Sequence, residues 1–409
     1  MTPGVGESLG TAEQEWPKNL DVDVWKAQGW QPVPFRQFIV KLHSRCNLAC
    51  GYCYVYEGAD QTWRDQPVKM SAGLVSVVAS RIAEHARAHG LADVRVIFHG
   101  GEPLLAGTDV VVDAFRKTRA AVDAGVRVDS WIQTNGTLLT DASLDALEAL
   151  GIRVGVSLDG NAGTHDLGRR YANGRGSYAE VARGLRLLMR RPDIYSGLLC
   201  VVDLRADPLA TYEALLRFQP PTIDFLLPHA NWMSPPPRFG RSVAAYASYA
   251  EWLIAIFDRW YDAARRETNI RIFEEIIHLL LGGRSATEVV GLTPSSLIVI
   301  ETDGSIEQSD ALKSTYHGAA RTGLHIVRDS FDTALQIPEI AARQLGLAAL
   351  SEECLGCRVK RICGGGLYAH RYRQKTGFRN RSVYCHDLYA LIMHIRARVA
   401  SDLSSIARR

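Results

Sequence analysis

Seven of the eight cysteines fall into two groups. Cys46, Cys50 and Cys53 lie close together near the N-terminal end, Cys354, Cys357, Cys363 and Cys385 lie near the other, and Cys200 stands apart. Three thiolates in Cys-x3-Cys-x2-Cys can each take one iron of a [4Fe–4S] cube and leave the fourth iron without a protein ligand. A coordination position left open to a small chelating molecule is the chemistry this spacing offers. The alternative is a zinc site with His43 as fourth ligand. Cys354-x2-Cys357-x5-Cys363 with Cys385 supplies four thiolates, enough to close every iron of a second cube, and a zinc ribbon is the alternative there. Met1 to Trp16 has no apolar stretch of the kind that directs export, so we expect a cytoplasmic setting in which thiols stay reduced and serve metals rather than disulfides.

The elements that must position these groups read as alternating strands and helices. Phe38–Leu42 is a short strand running straight into the first cysteine group. Ser71 caps a helical pattern to about Gly90. Val94–Phe98 is a strand ending at Gly100-Gly101-Glu102-Pro103, and a helix follows over 110–124. Arg127–Gln133 is a strand ending at Thr134-Asn135-Gly136, followed by a helix over 141–150. Arg153–Leu158 ends at Asp159-Gly160. A helix over 177–190, a strand at 197–203, a helix over 209–218 and a strand at 223–227 complete six strand–helix alternations. Such repetition implies a parallel sheet, and six units are fewer than a closed eightfold barrel, so the expectation is α/β with a partial, open (β/α)6 barrel. Glycines and polar residues gather after the strand C-termini, the edge that carries ligands in such folds.

Beyond residue 237 the rhythm changes. Helices are expected over 243–265 and 273–281, a hairpin over 296–308 with Asp303-Gly304 at its turn, and a closing helix over 384–406. The expected division is a lead over 1–34, the barrel over 35–236, a helical bridge over 237–295 and a cysteine-bearing domain over 296–409. The Tyr and Trp residues of 246–261 and the lone Cys200 read as core. A hydrophobic content of 47% excludes a disordered chain. No run approaches the roughly 18 apolar residues of a membrane span. The net charge of +3 gives no reason to expect nucleic acid. Between Arg358 and Arg381 there are eight Lys or Arg and no Asp or Glu. That balance suits a cluster carrying negative charge, an acidic peptide leader, an acidic reductant, or simply a solvated loop.

Cys46, Cys50 and Cys53 with aromatic Tyr52 before the last Cys, after the first strand of a partial barrel, resemble the radical S-adenosylmethionine (SAM) superfamily. The Gly100-Gly101-Glu102-Pro103 run resembles its motif for the methionine amino group of SAM. Thr134–Gly136, Ser157–Gly160 and Arg169 fall where that family places further SAM contacts. The resemblance covers about 35–227. It implies SAM bound by Tyr52, Gly100, Gly101, Glu102, Ser157 and Arg169. It also implies reductive cleavage to a 5′-deoxyadenosyl radical that takes hydrogen from an unactivated C–H bond, with flavodoxin or ferredoxin as external electron donor. The second cysteine group resembles the SPASM extension of enzymes that modify peptides and proteins. That pattern expects further cysteines where Leu367 and Ser309 stand, so two [4Fe–4S] clusters are expected, not three. In the sulfatase-maturating relatives an Asp after the missing hairpin Cys is the proposed general base, which makes Asp310 the candidate catalytic residue. A hairpin-end turn former is the other reading of Asp310.

Within that group, 53–57 with the segment 60–67, and 301–308, resemble most closely the Fxs-type maturases. This implies a ribosomally made precursor peptide as substrate and an aromatic ring carbon joined to the Cβ of a residue two positions on, a three-residue cyclophane. The alternatives are formylglycine or thioether formation, or a non-catalytic iron–sulfur or zinc scaffold. The lead is shorter than a peptide-recognition domain of about 80 residues. We therefore expect the barrel and C-terminal segment to hold the precursor, or a separate protein to deliver it.

Overall fold

Strand β1 (Gln37–His43) alternates. Phe38, Val40 and Leu42 are buried under helices, while Ile39 and Lys41 point to the opposite face. Strand β2 (Asp93–Gly100) does the same, burying Val94, Val96 and Phe98 and turning Arg95, Ile97 and His99 inward. A parallel sheet covered on both faces by apolar layers would read as a continuous hydrophobic run. Period two here means that the inner face lines a polar cavity.

The computed structural model describes residues 15–237 and 248–406. After β1 and β2 come β3 (Arg127–Thr134), β4 (Arg153–Ser157), β5 (Tyr195–Val201), β6 (Thr222–Leu226), β7 (Asn269–Ile270), β8 (Leu297–Ile300), β9 (Ser305–Glu307) and β10 (Arg321–His325). They form one ten-stranded sheet in the order β10-β9-β8-β1-β2-β3-β4-β5-β6-β7. Every pairing from β8 through β7 is parallel, and the hairpin pairings β8–β9 and β9–β10 are antiparallel. The six expected barrel strands are present in sequence order.

Two additions were not anticipated. Tiny β7 extends the far edge, and β8 pairs in parallel with β1, with Gln37 opposite Leu297 and Val40 opposite Ile300. An apolar Leu-Ile-Val-Ile strand left as a free edge would invite pairing with another chain, and docking on β1 buries it. The hairpin therefore continues the barrel sheet, with Gly304 at φ +93° in its turn.

Helices close the outer face. Ala72–Ala88 is capped by Ser71 Oγ, which accepts the Leu74 N–H, and Asp141–Glu148 opens with a reciprocal Thr140–Ser143 capping box. Helix Tyr249–Tyr261 lies over the C-terminal strands, and the expected start of this helix at 243 lies outside the described residues. Its Trp252 is fully buried, meets Phe225 edge-on at 5.5 Å and donates from Nε1 to the Ala206 carbonyl at 2.9 Å. Helix Cys385–Ile406 packs against it. Among the described residues no helix is long and apolar enough to cross a membrane.

Replacing Trp252 with Ala removes the largest fully buried side chain and orphans the Ala206 carbonyl. Urea unfolding is expected to show a loss of about 3–5 kcal/mol. Leu403→Ala, at an exposed position, should stay within about 0.5 kcal/mol of the parent.

Candidate active site

The cysteine loop hangs from the C-terminal end of β1 and is tied on both sides. Its outer strand is held by Ala49 N–H on the Arg170 carbonyl (2.6 Å) and Gly51 N–H on the Gly168 carbonyl (3.1 Å). Its inner side meets the end of β2, where two glycines allow an approach that no side chain could share. A Cβ on Gly100, at φ +152°, would sit 2.1 Å from the His43 carbonyl oxygen. One on Gly101 would sit 1.9 Å from the Tyr56 hydroxyl and 2.4 Å from the Arg45 carbonyl. The Gly-Gly pair is what lets the second strand touch the cysteine loop.

Cys46, Cys50 and Cys53 line one cavity of about 210 Å³ together with Tyr52, Gly100, Gly101, Asn135, Ser157 and Arg169. Cys46 Sγ accepts the Leu48 N–H at 3.4 Å and the Asn135 amide at 3.7 Å, and Asn135 also binds Asn47 at 2.8 Å. Burial pushes the Cys46 thiol up to about 12, against these two donors, and also raises Cys50 and Cys53. A metal centre must therefore displace their protons on binding. Among the described residues, no three cysteine sulfurs lie within 4.8 Å of one another.

Arg169, Tyr52 and Asp159 form a buried chain. Arg169 Nη1 donates to the Tyr52 hydroxyl at 2.8 Å, and that hydroxyl donates to Asp159. Asp159 also accepts the Val201 N–H at 2.9 Å. Gly168 leaves room for the Tyr52 ring, since a Cβ there would lie 2.7 Å from it. Arg169 Nε is buried without a partner at the cavity wall, a donor available to an anionic group. Ser157 Oγ accepts from Gln133 at 3.2 Å.

Glu102 acts as a cap at the end of β2. It is fully buried and is not part of the cavity wall. Its Oε1 accepts from Leu104 N–H (3.0 Å) and Thr134 Oγ1 (2.8 Å), and its Oε2 accepts from Asn135 N–H (2.8 Å). It caps the 3-10 helix Pro103–Ala106 and clasps the end of β3, thereby orienting Asn135 toward Cys46.

Asp310, at the start of the 3-10 helix Asp310–Ser314, is likewise buried behind the cavity. Its Oδ1 lies 2.7 Å from Lys41 Nζ. Lys41 Nζ also meets Glu301 Oε1 (2.7 Å), which meets Lys313 Nζ (2.6 Å), which meets Glu307 Oε2 (2.7 Å). The sequence reading missed this cluster; its only signals were a lysine inside an apolar strand and carboxylates at both ends of an apolar hairpin. Asp310 also sets the field at two cavity walls, Tyr54 and His229, whose rings meet at 4.2 Å. Burial drives His229 down to about 4, partly offset by Asp310.

Cys354, Cys357, Cys363 and Cys385 lie close enough at the other end to feel one another's charge. Cys354 lies on helix Glu352–Leu355, Cys363 ends helix Lys360–Cys363, and Cys385 opens the C-terminal helix. The buried Arg371 guanidinium donates to the carbonyls of Gly364 (2.6 Å), Gly365 (3.1 Å) and Gly366 (2.7 Å), all at positive φ, and so shapes the turn after Cys363. Burial raises Cys363 to about 11, and the Arg371 charge opposes it. At the positions where further cysteines were expected, Ser309 is buried and Leu367 precedes an aromatic cluster of Tyr368, Tyr372 and Phe378.

Residues 40–201 match the family model described as the Radical SAM superfamily. The chain is 29% identical over 357 residues to the serine-type anaerobic sulfatase-maturating enzyme of Klebsiella aerogenes, covering 84% of this chain and 82% of the relative. It is 23% identical over 358 residues to the cysteine-type enzyme of Clostridium perfringens (strain 13 / Type A), covering 86% and 94%. In structure it is similar to native anSMEcpe with bound AdoMet, with a TM-score of 0.74, 21% identity, and coverage of 89% of this chain and 98% of that one. It is also similar to Streptococcus suis SuiB bound to precursor peptide SuiA, with a TM-score of 0.55, 14% identity, and coverage of 89% and 78%. At these identities the structural likeness is one of fold. The parallel sheet and the matched segment define a radical SAM domain. The chain is an enzyme whose cofactors are SAM and [4Fe–4S] iron–sulfur chemistry.

Glu307 in the buried cluster is raised to about 7, by burial first and the Glu301 charge next, against Lys313 and Lys41. A carboxyl held above its ordinary 4.5 binds its proton more tightly in the folded chain. Its stabilising contribution is complete below about 4.5 and is lost as pH rises through about 7. Glu307→Gln, a neutral mimic, should flatten the pH dependence of thermal unfolding across that window. It should be more stable than the parent at pH 8 by roughly 3 kcal/mol; an unchanged pH profile would count against this assignment.

Proposed function

We propose that this enzyme uses radical chemistry to oxidise a side chain of a peptide or protein. The observation that carries the reading is the meeting of two cavities. The 210 Å³ space at the cysteine loop shares Tyr52, Cys53, Tyr54, Val201 and His229 with a second space of about 500 Å³. The larger space is bounded by the loop from Pro228 to Pro237 and by Ser314 and Thr315 of the hairpin extension. It has the size of a binding site for several residues of extended chain.

Cys46, Cys50 and Cys53 would hold a [4Fe–4S] cluster with one iron left for SAM, and Cys354, Cys357, Cys363 and Cys385 a second, fully ligated one. When bound and reduced, the first cluster with SAM supplies a carbon-centred radical able to remove hydrogen from an unactivated C–H bond. The residues of the chain do the rest. Arg169 Nε and Ser157 Oγ offer polar contacts for SAM, while the Asp159–Tyr52 chain fixes Arg169. Gly100 and Gly101 leave the backbone of β2 bare at the cavity. Asp310, held by Lys41, would take the proton that the substrate loses as its radical is oxidised. The exposed cations Arg358 and Arg361, next to Cys357 and near Cys363 in the chain, suit an acidic flavodoxin or ferredoxin as electron donor.

Within that class, oxidation of a Ser or Cys side chain to formylglycine is the reading the relatives' names favour. It displaces cyclophane formation from first place. The cyclophane reading stays as the second. One observation speaks for it: the stretches 53–57 and 301–308, which carry the Fxs-type resemblance, converge through Tyr54, Glu301 and Glu307 on the Asp310 cluster.

Anaerobic reaction of the reconstituted chain with SAM, dithionite and peptides bearing Ser, Cys or an aromatic three-residue motif separates these. Formation of 5′-deoxyadenosine with loss of two hydrogens from the Ser peptide and a hydrazide-reactive aldehyde is the expected result. Loss of two hydrogens with an aromatic cross-link and no aldehyde would replace it with the second reading. Absence of 5′-deoxyadenosine would defeat both.

A further inference from the structure

Six ionisable side chains are buried together beside the candidate site, and their contacts at salt-bridge distance connect them from Asp310 to the surface. Starting at Asp310, the contacts run from its Oδ1 to Lys41 Nζ (2.7 Å), Lys41 Nζ to Glu301 Oε1 (2.7 Å) and Glu301 Oε1 to Lys313 Nζ (2.6 Å). Lys313 Nζ then faces Glu307 Oε2 (2.7 Å) and Asp60 Oδ2 (3.9 Å). Asp60 Oδ1 lies 3.4 Å from His317 Nδ1, and the His317 side chain is 60% exposed. All six inner groups have side-chain exposures between 2% and 6%. The chain of contacts starts one layer behind the cavity walls Tyr54 and His229 and ends in water.

A structural clasp needs none of this. Burying an ion pair costs several kcal/mol per ion, and well-packed apolar side chains commonly stabilise as well or better. Two ammonium groups against four carboxylates also leave the cluster short of positive charge, so one carboxyl prefers to keep a proton. Glu307, facing Lys313, Glu301 and Lys41, is that group. A metal ion is not the missing charge for Glu301, Glu307 and Asp310, which lie close enough to bind one. The Lys41 and Lys313 ammoniums already stand between these carboxylates at contact distance.

We propose that Asp310, Lys41, Glu301, Lys313, Asp60 and His317 form a proton exit path, with Glu307 as its holding position, that carries the substrate's proton to solvent. The inference rests on the reading of Asp310 given above. In the oxidation step the substrate radical loses one electron to an iron–sulfur centre or a one-electron carrier. Its O–H or S–H bond (a ring C–H bond in the cyclophane case) breaks, and the proton forms an O–H bond on Asp310. Each lysine then accepts a proton from one carboxyl while giving one to the next, and ends with the charge it began with. His317 receives the proton from Asp60 and releases it to water, so one proton leaves per turnover. Two links are longer than a good hydrogen bond, Lys313 to Asp60 at 3.9 Å and Asp60 to His317 at 3.4 Å; the first needs a swing of about 1 Å of the flexible lysine stem and the second a small turn of the exposed imidazole. In the neutral ring, His317 Nδ1 accepts the Gln61 N–H at 3.3 Å, so its proton is on Nε2, and Nδ1 takes the Asp60 proton by exchanging that long bond for it. These residues act through Asp310 and are positioning residues that also pass its proton.

Two variants of the full, reconstituted enzyme test this. His317→Gln changes an exposed residue and should leave thermal unfolding unchanged. Lys313→Arg keeps the charge but not the ability to give up a proton. The readouts are 5′-deoxyadenosine, formed before proton loss, and modified peptide, formed after it. With His317→Gln we expect 5′-deoxyadenosine within twofold of the parent and modified peptide down roughly tenfold, with a larger solvent deuterium effect and rescue by added imidazole. Lys313→Arg should show the same loss without rescue. A parental ratio of product to 5′-deoxyadenosine in His317→Gln, with the parental pH profile, would overturn the path whether or not Lys313→Arg folds. Absence of 5′-deoxyadenosine in the parent enzyme itself would remove the reading on which the path rests.

Discussion

The structure depends on a backbone contact that has no room for a side chain. Where β2 ends, Gly100 and Gly101 lie against the carbonyls of His43 and Arg45, so close that any Cβ would collide. That contact sets the cysteine loop over the C-terminal edge of the sheet instead of beside it. It also passes strain-free into Glu102, whose carboxylate clasps Thr134 and Asn135 and so draws the end of β3 to the same place. Asn135 then reaches Cys46. Three strand ends are registered on one thiol by hydrogen bonds and close packing, before any cofactor is considered.

The second constraint is electrostatic. A barrel whose inner face is polar must satisfy every charge it encloses, because an unpaired buried charge is far more costly than a paired one. Around Arg169 this is done with Tyr52 and Asp159, leaving one guanidinium nitrogen unpartnered at the cavity. Around Lys41 it takes carboxylates from the hairpin and from the helix that follows it. The hairpin is therefore joined to the barrel twice, through the ladder between β8 and β1 and through these ion pairs. Docking of the extension and the environment of Asp310 are one event.

Much of the site could be read from spacing. Local motifs at strand ends, namely the cysteine loop, Gly100-Gly101, Ser157 and Arg169, converge on one cavity because a parallel sheet puts all its strand C-termini on one edge. What could not be read depends on pairing between distant segments. Nothing in Leu297–Ile300 says that it lies parallel to β1 rather than closing a separate hairpin. Nothing local says that Lys41 and Lys313, far apart in the chain, share Glu301. The motif at Glu102 did not reveal that Leu104, Thr134 and Asn135 occupy three of its acceptor positions. Asp310 was singled out as a candidate base, and spacing could not say that it stands one layer back, behind Tyr54 and His229.

The central claim is that the Cys46, Cys50 and Cys53 centre keeps an iron for SAM. Electron paramagnetic resonance of the dithionite-reduced, iron-reconstituted chain, recorded before and after adding SAM, tests it most directly. One of two reduced cluster signals should shift on SAM addition, and that signal should be missing when the three cysteines are replaced by alanine. A spectrum indifferent to SAM would contradict the claim.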